Sequence, residues 1–269
     1  MFSRKPQPES HLFAEIIEAE AYSDFCLAIP GPVRVNLGFQ EYRTGSVLTA
    51  VAGLLDVAAF NRTLGLGVVE PATERQVADI IGCYVAAGVK NFLVHAHPGA
   101  LPQWLPSWLF DNGLDMRSRW AKMTRDDEPI KPAKFDGTVH EATAGDTGDF
   151  ARLAAAAHGI PSTAEPWFGA LIGREFWHCY VAKYQGEGIA TACMYRAPTG
   201  MAWLGFAATL PAHRKHGAHH ALVHRRVADA LTAGATQLVT EADENSVEAK
   251  NLTDCGFQLA YLRANFGRG

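Results

Sequence analysis

The chain has 269 residues, a formal net charge of −4 and 48% apolar residues. This composition is sufficient for a globular core and offers no overall positive charge to attract nucleic acid, so any anion-binding site must be local. The five cysteines form no CxxC pair, which favours free thiols in a reducing compartment.

The N-terminal segment, MFSRKPQPESHLF, contains prolines and charges and lacks the apolar core of a signal peptide. The most apolar segment, residues 47–60, is interrupted by Asp56 and is too short to span a bilayer. We therefore expect a cytoplasmic monomer or homodimer that binds neither a membrane nor nucleic acid.

The first half of the chain contains a segment that recurs in the second half. LGLGVVEPATERQV, starting at Leu64, aligns without a gap with LGFAATLPAHRKHG, starting at Leu204. Each segment precedes a predicted helix ending in Ala-Gly, a buried-type strand, a shorter helix, a Gly-Leu or Gly-Phe pair and a last strand. This shared order predicts an internal repeat.

The two copies differ in charge at the corresponding positions. Glu74 of the first copy aligns with Arg214, and Glu70 aligns with Leu210. Carboxylates at these positions repel an anion. We therefore expect the first copy, in a domain of residues 1–130, to have a structural role.

The second half is predicted as a separate domain of residues 137–269. The segment RDDEPIKPAKFDG, residues 125–137, is charged, contains two prolines and is typical of a linker. After it, the pattern predicts two helices, three strands, a helix, a strand, a helix and a strand, in an α/β fold with a mixed sheet. The predicted bounds are helices at 143–158 and 165–172, strands at 178–184, 188–195 and 201–209, a helix at 217–233, a strand at 237–243, a helix capped by Asn245 and ended by Gly256, and a strand at 257–266.

A basic loop lies where the third of these strands meets the following helix. Residues 211–222, PAHRKHGAHHAL, contain no Asp or Glu. The first N–H groups of a helix have no intrahelical partner, and the helix dipole favours negative charge there. Gly217 allows close backbone approach, and Arg214 and Lys215 add positive charge. A pyrophosphate is the natural ligand, although neither G-x-G-x-x-G nor a P-loop motif is present.

Residues 207–220, ending in RKHGAH, resemble the acetyl-CoA pyrophosphate loop of the GNAT N-acetyltransferases, whose pattern is Arg or Gln, x, x, Gly, x, Gly or Ala. Asn245 lies eleven residues before Gly256–Phe257, which resembles the spacing of the family's C-terminal motif. The resemblance covers residues 138–269 and implies an acyl-CoA N-acyltransferase fold, with the first half as a degenerate GNAT-like copy in tandem.

The resemblance also implies acetyl-CoA as co-substrate and assigns residues to it. The implied coenzyme-binding residues are Ala207, Ala208 and Thr209 along the pantetheine, Arg214, Lys215, His216, Gly217, Ala218, His219 and His220 around the pyrophosphate, and Asn245 beside the pantetheine arm. Two positions depart from the family pattern. His219 occupies the last small position of the loop motif, and Leu252 stands where many members place the tyrosine that protonates the leaving thiolate.

The general base is not identified by the sequence. Family members that take a base from the fifth strand often carry a Glu five residues before the Asn; Thr240 occupies that position here, and Glu241 follows it. A shift of one residue along a strand moves the side chain to the opposite face of the sheet. Glu241 and Tyr261 are the catalytic candidates, with His178 and Tyr195 as further ones.

We expect the protein to transfer an acetyl group from acetyl-CoA to a primary amine. The alternative is a regulatory pseudoenzyme that binds coenzyme A without turnover, which Leu252 permits. An aminoacyl-tRNA-dependent transferase needs a basic face, which this acidic chain does not favour, and a purely structural role also stays open. The histidines at 216, 219, 220 and 224 have helical spacing but no accompanying carboxylate, so no metal is expected.

Overall fold

The computed structural model describes the backbone of residues 8–268 and the side chains of residues 12–268. Residues 1–7 and Gly269, at the ends of the two predicted domains, lie outside the described part. The elements of the first half are α1 (Pro8–Ala28), α2 (Gly31–Asn36), β1 (Phe39–Thr44), β2 (Val47–Ala52), β3 (Arg62–Leu64), α3 (Glu74–Ala86), β4 (Leu93–Ala96), α4 (Leu105–Asp111) and β5 (Asp115–Asp126).

The second half follows the predicted order and adds one strand before it. Its elements are β6 (Thr138–Glu141), α5 (Thr147–His158), α6 (Glu165–Gly169), β7 (Trp177–Tyr184), β8 (Glu187–Arg196), β9 (Met201–Thr209), α7 (Ala218–Thr232), β10 (Gln237–Asp243), α8 (Val247–Asp254) and β11 (Gln258–Gly267). Apart from β6, both halves run helix, helix, three strands, helix, strand, helix, strand. The linker begins after Asp126 rather than at Arg125, because β5 extends through both residues.

The two halves share one mixed sheet of eleven strands in the order β1-β2-β3-β4-β11-β5-β10-β9-β8-β7-β6. The last strand of each half is inserted into the other half. β5 pairs antiparallel with β10, and β11 pairs antiparallel with β4. Because each half completes the sheet of the other, first-half residues lie directly beside second-half residues at the centre of the molecule.

Helices cover both faces of the sheet. One face carries α1, α2, α5 and α6, whose apolar side chains share a core that includes Trp167 stacked on Phe25 at 4.3 Å between ring centroids. The opposite face carries α3 and α4 on the first half and α7 and α8 on the second. The sheet therefore has an α1 face and an α7–α8 face.

An opening in the sheet separates the outer ends of β9 and β10. These strands pair in parallel from Met201–Gln237 only as far as Leu204–Thr240. On its other edge, β9 shifts register against β8 between Thr191 and Cys193, where Phe206 adopts a φ of 50°. This bulge bends β9, and the backbone edge beyond Leu204 that faces β10 has no ladder partner in the described chain.

The cap of α8 differs from the prediction. Ser246, not Asn245, is the N-cap, and its side chain accepts a hydrogen bond from the Ala249 N–H at 3.0 Å. Asn245 is exposed and has a φ of 62°. Both residue types cap helices well, and asparagine is also one of the few residues that tolerate the left-handed conformation required one position earlier.

Candidate active site

The opening between β9 and β10 forms a cleft of about 190 Å³ that reaches both faces of the sheet. Side chains alternate along β10: Ala242 packs in the α7–α8 core, whereas Val239 packs in the α1 core. Thr240 therefore belongs to the α7–α8 face and Glu241 to the α1 face. The α7–α8 side is lined by His219, Arg226, Glu248 and Leu252, and the α1 side by Ala59, Arg62, Trp120, His158 and Trp203.

The basic loop ends in a backbone geometry suited to anions. Lys215 and Gly217 both have left-handed conformations, with φ values of 69° and 84°. Gly217 is the N-cap of α7, and no side chain caps this helix. Successive backbone N–H groups in such a turn form an anion-binding concavity at the positive end of the helix dipole. The side chains of Arg214, Lys215 and His216 are exposed around it.

Glycine at position 217 is required by packing as well as by conformation. A Cβ atom there would lie 2.6 Å from the carbonyl oxygen of Lys134, in the linker. The linker therefore packs against the loop, and any side chain at residue 217 would push the two segments apart.

The other predicted coenzyme residues lie in different surroundings. Ala207 lines the cleft, and Ala208 and Thr209 continue β9 beyond its pairing with β10 as half-buried residues. Asn245 does not line the cleft.

Two loop histidines face carboxylates of α8, which the sequence did not place near them. His219 Nε2 is 3.4 Å from Glu248, and His220 Nε2 is 3.9 Å from Asp254. Burial lowers the pKa of His220. In the described part of the chain, no group of three or more His, Cys, Asp or Glu side chains is placed to hold a metal ion.

Glu241 is one of the carboxylates that line the cleft, with Asp243 and Glu248. Its Oε2 accepts hydrogen bonds from Lys122 Nζ and from Trp203 Nε1, both at 3.0 Å. Oε1 has no hydrogen-bond partner among the described residues, and the side chain keeps 11% exposure. Burial and the negative charge of Glu18 raise the pKa of Glu241, against the opposing effect of Lys122. One oxygen is thus held in place while the other is available to a ligand.

The position of Trp203 depends on the glycine two residues along β9. A Cβ atom at Gly205 would lie 1.9 Å from the indole ring. Because Gly205 has no side chain, the indole can lie flat against the strand and reach Glu241.

A buried charge cluster lies beside Glu241 and joins Glu18, Arg62 and Lys122 of the first half to Arg263 of β11. Glu18 of α1 accepts hydrogen bonds from Lys122 at 2.5 Å, Arg263 at 3.0 Å and Arg62 at 3.3 Å. Burial raises the pKa of Glu18, but the three cations more than offset it and hold that pKa well below its ordinary value. Sequence patterns did not predict this cluster. The sequence did contain an indication of it, because Glu15 and Glu18 interrupt an otherwise apolar face of α1.

The remaining catalytic candidates do not line the cleft. The Tyr261 hydroxyl donates to Glu15 Oε1 at 2.5 Å, and burial raises its pKa strongly. The Tyr195 hydroxyl donates to Glu20, and His178 pairs with Glu141. Leu252, by contrast, lines the cleft, so the position of the family tyrosine does face the site.

Solved structures with the same fold were found for nearly the whole chain. The chain is similar to a GCN5-related N-acetyltransferase from Kribbella flavida, with a TM-score of 0.64, 17% identity and 95% of each chain covered. It is also similar to a GCN5-related N-acetyltransferase from Sphaerobacter thermophilus, with a TM-score of 0.59, 13% identity and coverage of 98% of this chain and 93% of that one. A tandem GNAT protein from the clavulanic acid biosynthesis pathway matches with a TM-score of 0.58, 13% identity and coverage of 83% and 79%. The fold is therefore the acyl-CoA N-acyltransferase fold, in a tandem arrangement.

The family follows from the sequence. Residues 150–257 match the model of the acetyltransferase (GNAT) family. A GNAT acetyltransferase domain thus lies within the second half, where the pyrophosphate-loop motif predicted it. No curated protein matches the chain significantly. No helix among the described residues is long and apolar enough to cross a membrane.

Proposed function

We propose that the protein transfers the acetyl group of acetyl-CoA to a primary amine, with Glu241 as general base. The observation that carries this proposal is that one cleft joins two chemically different faces. An anion-binding helix N-terminus lies on the α7–α8 face, and a carboxylate with a raised pKa and a free oxygen lies on the α1 face. Coenzyme would enter from the first face and the amine from the second.

The residues of the α7–α8 face fit an extended coenzyme. Backbone N–H groups at the start of α7 would hold the pyrophosphate, with Arg214 and Lys215 supplying charge. Backbone groups of Ala207, Ala208 and Thr209 would run beside the pantetheine, on the edge of β9 that has no ladder partner.

The chemical step uses Glu241 Oε1. The amine nitrogen attacks the thioester carbonyl and forms the C–N bond, while its proton passes to Oε1 directly or through one water. The C–S bond then breaks, and the thiolate leaves and takes a proton from water. Glu241 releases the amine proton to solvent, which neutralises the hydroxide and restores the base. A base with a raised pKa is a better proton acceptor than an ordinary carboxylate.

The first half, within residues 1–130, is proposed as a degenerate copy that binds no coenzyme and shapes the acceptor side. The loop around Leu101 fills the equivalent space: its N–H donates to the Gly67 carbonyl at 2.8 Å, and its carbonyl accepts from Ala72 at 2.7 Å. The start of α3 is occupied by its own cap, since the Thr73 side chain accepts from the Gln76 N–H at 3.2 Å. Residues 137–269 would then hold the single coenzyme.

A second function has one specific observation in its favour. Leu252 places an apolar side chain in the cleft where a phenol would protonate the thiolate. A protein that binds coenzyme A as a signal, without turnover, has no need of that phenol.

Calorimetry with acetyl-CoA tests the binding half of the proposal. We expect one coenzyme per chain, and weaker binding after Arg214→Ala by about tenfold, the effect of one charge-assisted contact. Arg152→Ala is the matched control, because Arg152 is an exposed arginine on α5. A stoichiometry of two would contradict the assignment of the first half. Release of coenzyme A with an amine panel then separates the enzyme from the sensor.

A further inference from the structure

The first half supplies the wall of the cleft on the acceptor side. Ala59, Arg62 and Trp120 all line the α1 side, and all three precede the linker. Arg62 is the only member of the buried cation group of Arg62, Lys122 and Arg263 that lines the cleft in the described chain. Any acceptor that reaches Glu241 from this face therefore lies beside a guanidinium.

Arg62 has unused hydrogen-bonding capacity. A guanidinium has five N–H donors. Its Nη1 donates to Glu18 at 3.3 Å, and its guanidinium lies over the rings of Tyr22, at 4.1 Å from the centroid, and of Trp120, at 5.7 Å. Its Nε is buried and has no partner in the described chain, although the side chain is only 5% exposed. Arg263 also has an unpartnered Nε in the described chain, but it makes four hydrogen bonds to Glu15 and Glu18, is fully buried and does not line the cleft.

The net charge of the cluster restricts the charge of an acceptor that can bind beside it. Three cations, Arg62, Lys122 and Arg263, face three carboxylates. The carboxylates are Glu15, Glu18 and Glu241. A simple alkylammonium would add an uncompensated positive charge to this buried region, which is costly in a low dielectric. An acceptor with both an ammonium and a carboxylate adds no net charge, and it remains balanced after Glu241 takes the proton.

We propose that the acceptor is of the amino acid class, a primary amine that also carries a carboxylate, and that Arg62 binds this carboxylate. The proposal rests on the acetyl transfer proposed above. Arginine suits the role because its planar fork can donate two parallel hydrogen bonds to a carboxylate. The amine is then presented to Glu241 on the same face of the sheet.

The test compares acceptors that differ only in the carboxylate. Initial rates of coenzyme A release are measured with phenylalanine and phenylalaninamide, with alanine and alaninamide, and with lysine and cadaverine. Each kcat/KM is corrected for the fraction of neutral amine, because the paired amines ionise differently. We expect a preference of about 10- to 100-fold for the carboxylate member of each pair, as one charge-assisted hydrogen-bonded contact gives.

Variants assign this preference to Arg62. Arg62→Gln should bring the ratio within each pair close to one, and Arg62→Lys should leave an intermediate ratio because it keeps the charge without the fork. Ala59→Asp places a competing carboxylate at an exposed position of the same wall and should also abolish the preference. This second route keeps the proposal testable if Arg62 variants fold poorly.

Equal kcat/KM values within the pairs, a preference for cadaverine, or an unchanged ratio in Arg62→Gln and Ala59→Asp would each overturn the proposal. Release no faster than hydrolysis with every acceptor would instead refute acetyl transfer itself. In that case, thermal unfolding in the presence of coenzyme A tests whether the carboxylate binds. Phenylalanine should raise the unfolding temperature, and phenylalaninamide should not.

Discussion

Replacing Glu241 with glutamine removes the proposed base while changing little else in the site. The amide retains an oxygen that can accept the Trp203 N–H, and Lys122 keeps Glu18 at 2.5 Å as its counter-charge. The fold should therefore survive. Loss of a positioned general base typically costs a factor of about 10² to 10⁴, and we expect kcat to fall within that range.

The pH profile is the more specific measurement. The pKa of Glu241 is raised by burial and by Glu18, so kcat/KM of the natural protein should rise with pH through a value above that of an ordinary glutamate. A weakly basic amine that stays neutral over the scanned range keeps its own ionisation out of the profile. Glu241→Gln should lose this rising limb entirely.

Glu244→Gln is the matched control for this prediction. It makes the same chemical change three residues along the chain, at a carboxylate that pairs with Arg119 and does not line the cleft. Acetyl-CoA affinity should be retained in Glu241→Gln, because Glu241 lies on the opposite face from the pyrophosphate loop. If Glu241→Gln keeps kcat within about threefold and the same pH limb, Glu241 is not the base.

Two further substitutions probe the surroundings of the base. Glu18→Gln removes a carboxylate from among three buried cations and should lower the free energy of unfolding at neutral pH by about 3–5 kcal/mol, measured by urea denaturation. The pKa of Glu18 is lowered in the folded state, so its stabilising effect is complete above the unfolded-state pKa and is lost as pH falls through the folded-state pKa. The difference in stability between the variant and the natural protein should therefore disappear only in strong acid. Leu252→Tyr should raise kcat by up to about 10²-fold if the phenol reaches the sulfur. Leu252→Phe adds the ring without the hydroxyl and should not raise kcat. An equal effect of both variants would show that ring packing, not proton donation, is responsible.

The order of elements in the second half followed from local signals. Gly159 and Gly234 end their helices in left-handed conformations, as glycine at a helix end predicts. The Arg-x-x-Gly turn before α7 was also recognisable, because a strand running into a glycine and a helix start has few structural alternatives. These features depend on residues close together in the chain, where sequence patterns carry the most information.

The composition of the site on the α1 face depended on contacts that no local pattern encodes. Glu241 and Lys122 are 119 residues apart and meet only because β5 crosses into the second half and pairs with β10. Glu241 was a weak candidate by motif, one residue past the family position. On β10 that shift directs it to the α1 face, where Lys122 of the first half fixes its orientation and burial, together with the charge of Glu18, raises its pKa.

The exchange of last strands also bears on our proposal that only the second half binds coenzyme. Two cross-strand pairs occupy equivalent positions in the two halves of the sheet. In the second half, Lys122 of β5 lies opposite Glu241 of β10, and in the first half Asn265 of β11 lies opposite His95 of β4. At the first-half position, His95 Nδ1 is 2.6 Å from Asn265 Oδ1, and burial lowers the pKa of His95 well below its ordinary value. A neutral, fully buried pair thus stands where the second half has a charged pair beside a cleft. Arg62 and Lys122 come from the first half and lie beside Glu241, whereas the backbone of Leu101 bonds to Gly67 and Ala72 within the first half. These contacts are the physical basis for proposing that the first half shapes the acceptor side and binds no coenzyme.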